Sequence, residues 1–215
     1  MSRLRSGGGR FPAVLLALAL TGCGGLLPDP PKRTLYRIDP VFASPAHLPQ
    51  VPIQLLIAVP VAPAGLDTSR IAVSPAPLSL DYFAGVEWAD RAPLMVQSTL
   101  IDAFEKSRTV GAVARDSAAF RADFVLETAI RDFQAAYETP NAPPRVAVSI
   151  DAKLVKIPER KIVGQTTLTG DAAAAANEVP AVVRAFGEAL GRASSAAVAW
   201  TVTNPGLSQR RASLH

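Results

Sequence analysis

Cys23 is the only cysteine among 215 residues, and it closes the run Leu20-Thr21-Gly22-Cys23. A thiol behind two small residues suits the attachment of a lipid, because Thr21 and Gly22 let the backbone enter a peptidase site. Arg3, Arg5 and Arg10 precede the apolar run Phe11 to Leu20. A charged stretch, an apolar stretch and a small-residue cleavage zone follow in signal-peptide order. The pattern is that of a bacterial lipoprotein signal, so residues 1–22 are predicted to be removed and Cys23 to be the acylated first residue. A membrane-spanning anchor fits the same residues less well. Phe11 to Leu20 would make a helix of about 15 Å, against a hydrocarbon core of about 30 Å, and Pro12, Gly22, Gly24 and Gly25 interrupt it.

Other reactive groups are few. His47 and His215 are the only histidines. Neither belongs to a metal-ligand cluster, and a Ser–His–Asp arrangement would have to use one of them. Gly7-Gly8-Gly9 lies in the leader, before any strand, where it cannot cradle a phosphate. Glu87 and Asp90 are explained more simply as a helix cap and favourable charge near a helix N-terminus than as paired carboxylates. Acylation of Cys23 leaves no thiol for a disulfide, a thiolate metal site or a nucleophile. No catalytic residue, metal or cofactor is predicted, which points to a tethered binding or assembly protein.

Removal of the leader takes the basic count from 22 to 19 against 18 acidic residues, and the net charge from +4 to +1. No basic patch with interleaved aromatics stands out, so nucleic acid is not an expected partner. Gly24 in place of an aspartate after the acylated cysteine favours the inner leaflet of the outer membrane. There the acyl chains, at about 0.8 kcal/mol per buried methylene, form the membrane attachment and the fold faces the periplasm.

The elements that must hold these residues follow from periodicity. Residues 23–33 form a lipidated, Pro/Gly-rich tether. Strands are predicted at Thr34 to Ile38, 51–59, Ile71 to Ser74, Leu78 to Phe83 and Val110 to Ala114. Residues 91–107 read as a helix with Leu94, Val96, Leu100, Ile101 and Phe104 on one face, Asp90 as its N-cap and Gln97 as a satisfied buried amide. Phe124 to Phe133, Val146 to Leu154 and Ile162 to Thr169 alternate as an antiparallel meander with one wet face. A second helix, Val179 to Trp200, carries Val182, Val183, Phe186, Leu190, Ala193, Ala197 and Trp200 in one stripe. Gly187 and Gly191 have the spacing of membrane helix pairs, but the opposite charged face of Arg184, Glu188 and Arg192 argues for packing on a sheet. Residues 204–215 read as a solvated tail. The expected fold is α+β, an antiparallel meander sheet with both amphipathic helices packed on one side, over a single domain at 34–203. Each half pairs short strands with one long helix, the pattern of a duplicated α+β unit.

One segment is distinctive. Asp67-Thr68-Ser69-Arg70-Ile71, then Tyr82-Phe83-Ala84-Gly85-Val86-Glu87-Trp88-Ala89-Asp90-Arg91-Ala92-Pro93-Leu94-Met95-Val96-Gln97, then Leu100, Ile101 and Phe104, resembles the ABC-type transport auxiliary lipoprotein family. The resemblance extends through Tyr36-Arg37-Ile38, the strand Ala122 to Phe133 and the final helix ending in Trp200. It implies an α+β periplasmic lipoprotein without ATPase activity, working beside an ABC permease, its ATPase and an MCE-domain protein to move phospholipid or another hydrophobic lipid. Trp88, Arg91 and Met95 are the predicted partner contacts, and Arg91 is also a candidate for pairing with a neighbouring acid. A homo-oligomer is compatible with the sequence. Two other classes remain open at this point: an envelope assembly or structural lipoprotein without a transport role, and a lipoprotein hydrolase working through His47.

Overall fold

The computed structural model describes residues 32–43, 47–115 and 121–207. Cys23, the leader, tether residues 24–31 and residues 208–215 lie outside the described residues. The chain order is β1 (Thr34–Tyr36), β2 (Val51–Ile57), β3 (Arg70–Ser74), β4 (Asp81–Trp88), α1 (Ala92–Ser107), β5 (Val110–Arg115), β6 (Phe124–Ala136), β7 (Arg145–Lys156), β8 (Lys161–Ala173) and α2 (Val179–Val202).

Strand β6 is the spine. Along one edge it pairs antiparallel with β7 from Phe124↔Lys156 to Ala136↔Arg145, and β7 pairs in the same way with β8. These three strands are the predicted meander. The other edge of β6 is shared by two strands in succession. Leu55–Ile57 of β2 lie parallel to Phe124–Leu126, Val61 bridges Ala129, and Val73 and Ser74 of β3 lie parallel to Ala135 and Ala136. Strand β5 extends β2 in parallel, while β4 pairs antiparallel with β3 and takes β1 in parallel. The sheet is therefore mixed, with eight strands, and the expected simple antiparallel meander covers only its second half. The two halves differ in pairing and in where the helix falls, so they do not form a duplicated unit.

Alternation decides which face is buried. On β7, Val146, Val148, Ile150, Ala152 and Leu154 point into the core, as do Ile53, Leu55 and Ile57 on β2. Helix α1 adds Val96, Leu100, Ile101 and Phe104, and α2 adds Val182, Phe186, Leu190, Ala193 and Ala197, all in one cluster. The helices touch each other, α2 over β7 and β8, α1 beside β5 and β2. Removing this apolar area from water is the main stabilising term, at about 25 cal/mol per Å². The outer face of β7 stays polar. There Asp151 accepts from the Thr167 hydroxyl at 2.8 Å and from Arg131 Nε at 2.6 Å, and these bonds, the hydroxyl first, hold its carboxyl below the usual range.

The small residues of α2 serve two contacts. On the sheet side, Gly170 of β8 lies under the backbone of Ala189 and Ala193. On the other side, Gly187 and Gly191 lie against the carbonyls of Asp39 and Val41, so the strap that follows β1 crosses α2 at close range. Val41 N–H donates to Gly187 O at 3.3 Å, and Ala43 N–H to Ser195 Oγ at 3.0 Å. The glycine spacing reminiscent of membrane helix pairs thus seats a segment of the same chain. Gly191→Val should lift this strap, cost about 1–3 kcal/mol by overpacking, and speed limited proteolysis between residues 39 and 43.

The end of α2 differs from expectation. Asn204 is buried, Gly206 N–H donates to Asn204 Oδ1 at 2.9 Å, and Leu207 N–H to Asn204 O at 3.1 Å. Asn204 and Gly206 pack on Gly164 and Val163 of β8. Residues 204–207 belong to the folded unit, because the missing side chain of Gly164 leaves room for the Asn204 amide.

Candidate functional site

The segment Tyr82 to Gln97 runs from β4 through a turn into α1, and its residues meet neighbours from several distant parts of the chain. Tyr82 Oη donates to Gly65 O at 3.0 Å, and the Arg70 guanidinium lies 3.6 Å from the centre of its ring. Gly85 has φ of 71°, a left-handed conformation that side chains disfavour. Glu87 pairs with Arg33, at the point where the chain enters the domain. Trp88 N–H donates to Ser69 O at 2.7 Å, Ala89 N–H to Tyr36 O at 2.8 Å, and Ala92 N–H to Thr68 O at 3.0 Å. The motif is a junction that ties β1, the 67–69 turn, β4 and α1 together.

This junction changes the roles expected of its residues. The Trp88 side chain is 1% exposed and sits in the core. Its ring meets Phe186 edge-on at 5.1 Å and Phe133 at 6.1 Å. It presents no surface to a partner, because β4 continues to Trp88 instead of ending in a loop before it. Asp90 is exposed and does not cap α1. Arg91 occupies the cap position without a side-chain bond. The Thr68 carbonyl takes the Ala92 amide and Pro93 has none to offer, so the first turn makes little demand on a carboxylate. Arg91 is exposed and pairs with Asp67, so the acid it was expected to find is across the turn. Met95 is half-buried and packs against the core cluster, so only part of its side chain reaches solvent.

Gln97 is 2% exposed, and its amide is bonded at both ends. Nε2 donates to Ile57 O at 2.8 Å, and Oε1 accepts from Arg115 Nη1 at 3.0 Å. Arg115 Nη2 also donates to Ser98 Oγ at 3.0 Å. A polar side chain inside an apolar stripe therefore joins α1 to the ends of β2 and β5, as a satisfied buried amide does.

A cleft of about 420 Å³ opens between the strap, the last turn of α1 and α2, lined by Phe42, His47, Leu48, Lys106, Ser107 and Ser195 among others. Periodicity gave no sign of it, since it forms where three distant segments meet. The Lys106 ammonium lies 4.6 Å from the centre of the Phe42 ring. The cleft's serines are committed to the backbone. Ser195 Oγ donates to Gly191 O at 2.8 Å, and Ser107 Oγ to Phe104 O at 2.8 Å. Exposed His47 and these hydroxyls thus share a cleft, with each hydroxyl proton held by a helix carbonyl. Among the described residues no cluster of three or more His, Cys, Asp or Glu could hold a metal ion.

Comparison with known proteins places this architecture. The Xanthomonas campestris protein XCC0632 has a crystal structure that superposes with a TM-score of 0.75 at 30% identity, covering 82% of this chain and 98% of that one. A second crystal structure, of an uncharacterized protein, shares the fold with a TM-score of 0.61 at 13% identity, over 78% of this chain and 97% of the other. An uncharacterized protein of Bradyrhizobium diazoefficiens, bll6063, is 32% identical over 148 residues, which is 69% of this chain and 39% of that protein's length. This chain thus matches well under half of that relative. No helix among the described residues is long and apolar enough to cross a membrane. Residues 34–199, from the first residue of β1 to the last turn of α2, match the family described as the ABC-type transport auxiliary lipoprotein component, and the chain belongs to that family.

Proposed function

We propose that this chain is a non-catalytic, lipid-anchored auxiliary of an ABC/MCE-type system that moves phospholipid between the inner and outer membranes. The family match over residues 34–199 carries this reading, because it runs from the start of β1 into the last turn of α2. The leader and Leu20-Thr21-Gly22-Cys23 support acylation at Cys23, and Gly24 supports the periplasmic face of the outer membrane. A tethered domain is held at high local concentration near its partner, so a modest intrinsic affinity suffices for a bridge. The proposed contact surface is the outer side of α1 around Arg91 and the exposed part of Met95, without Trp88.

The test is co-purification from gently solubilised envelopes, combined with photocrosslinkers at positions 91 and 95 in intact cells. Intact-mass analysis should show acyl increments on a chain beginning at Cys23. An MCE-domain protein, its permease and its ATPase should be recovered with it. Recovery of no transport component from either approach, with lipid asymmetry unchanged on deletion, would overturn the proposal.

A further inference from the structure

The turn between β3 and β4 is apolar where a hairpin tip is ordinarily polar. Residues 75–80 read Pro-Ala-Pro-Leu-Ser-Leu and contain no charged side chain. Leu78 is fully exposed at 108% of its reference area, and Leu80 is 46% exposed. Leu78 also has φ of 62°, in the left-handed region where a turn by itself would favour glycine or asparagine. The chain therefore tolerates backbone strain and hydration of a large apolar side chain at one position. Such outliers concentrate at functional surfaces.

The tip does not stand alone. The Leu80 side chain packs on Gly65, which joins the tip to a second uncharged stretch whose Pro63 and Ala64 are exposed. Tyr82 anchors this junction through its bond to Gly65 O, and Arg70 stacks on its ring. An apolar tip backed by a tyrosine and an exposed arginine has the layering of a surface that enters a lipid interface, with carbon deepest and the aromatic and cation at headgroup level. The neighbouring acid, Asp81, turns a carboxylate oxygen onto the Tyr82 amide at 2.7 Å. Glu138 and Glu178 lie in other loops at this end of the sheet, so the contact is the tip and not the whole end.

The path of the chain names the occupant. β1 runs parallel to β4, with Thr34 beside Val86 and Tyr36 beside Trp88. The chain therefore enters β1 from the end of β4 that carries the tip. Five residues separate Val86 from Asp81, about 17 Å of strand. Residues 24–33 can reach about 35 Å at most when fully extended. A tether of this reach is long enough to let the acyl-bearing cysteine and the tip share one leaflet. From these observations we infer that the Pro75–Leu80 tip, with Pro63 and Ala64 beside it, rests in the same lipid leaflet that receives the acyl chains of Cys23. This orients the domain with the Phe42–Lys106 cleft directed away from that membrane. The inference rests on the proposed acylation.

The test uses the full mature, acylated chain in vesicles of phosphatidylethanolamine and phosphatidylglycerol. Because Cys23 is blocked by its lipid, Leu78→Cys supplies a single thiol for a polarity-sensitive fluorophore. Glu159→Cys, in the exposed turn between β7 and β8 at the far end of the sheet, supplies the control. Emission at position 78 should shift to the blue and be quenched by a lipid-borne quencher several-fold more than at position 159. A protein that floats with the vesicles while position 78 stays as aqueous as position 159 overturns the tip contact and leaves the anchor standing. A protein that does not float, and shows no acyl mass, overturns the anchor and the tip contact with it. Shielding of position 78 only after envelope proteins are added assigns the tip to a protein partner and overturns the lipid assignment.

Discussion

Phe186→Ala should lower the unfolding free energy by about 3–5 kcal/mol, the range for emptying a fully buried aromatic site. Phe186 is 0% exposed and touches Phe133 at 5.0 Å and Trp88 at 5.1 Å between ring centres. These three rings come from α2, β6 and β4, so no single element can move to refill the space. A domain of this kind has a total stability of about 5–15 kcal/mol, so the loss is a large share of it. Denaturant titration should show a lower midpoint with a similar slope. A loss under about 1 kcal/mol, typical of a surface change, would show that the α2 stripe does not face the core.

Gly170→Val tests the opposite fault. A Cβ at Gly170 would fall inside the contact distance of Ala189 O, and within 2.9 Å of Ala193 N. Both obstacles are backbone atoms of α2, so no rotamer change relieves them. The helix must rise from β8 or β8 must bend. We expect a cost of about 3 kcal/mol, the upper part of the usual overpacking range, together with faster amide exchange in β8 beside residues 164–170. An unchanged midpoint would mean that α2 does not lie on Gly170.

Local periodicity was enough to find the meander and both helices. β6, β7 and β8 alternate over a dozen or so residues each, and their hairpin partners are neighbours in sequence. The parallel pairings were not legible, because β2 and β3 reach β6 across long stretches of chain and nothing in a five- or seven-residue strand specifies a distant edge. The fourth strand was expected at Leu78 to Phe83 and lies at Asp81–Trp88. Leu78 and Leu80 imitate strand residues, while Gly85 and Glu87 hide the true one. The candidate contact site suffered from the same cause. Trp88 sits among Glu87, Asp90 and Arg91, which resembles an exposed loop, and only its partners Phe133 and Phe186 reveal a core position. Gln97 was readable because a lone amide inside an apolar stripe must be satisfied when buried.

The way β1 joins the sheet has a mechanical meaning. A force that pulls the chain upstream of Arg33 toward the tip end acts along the axis of β1, because the strand runs parallel to β4. Pulled in that direction, its hydrogen bonds to β4 are loaded together in shear instead of being unzipped singly. Behind it, the strap at 39–43 is wedged on Gly187 and Gly191, and the Arg33–Glu87 pair spans the point of entry. Load on the tether is thus passed to the spine of the sheet and to α2, and a short three-residue strand can act as the fixture by which the domain is moored.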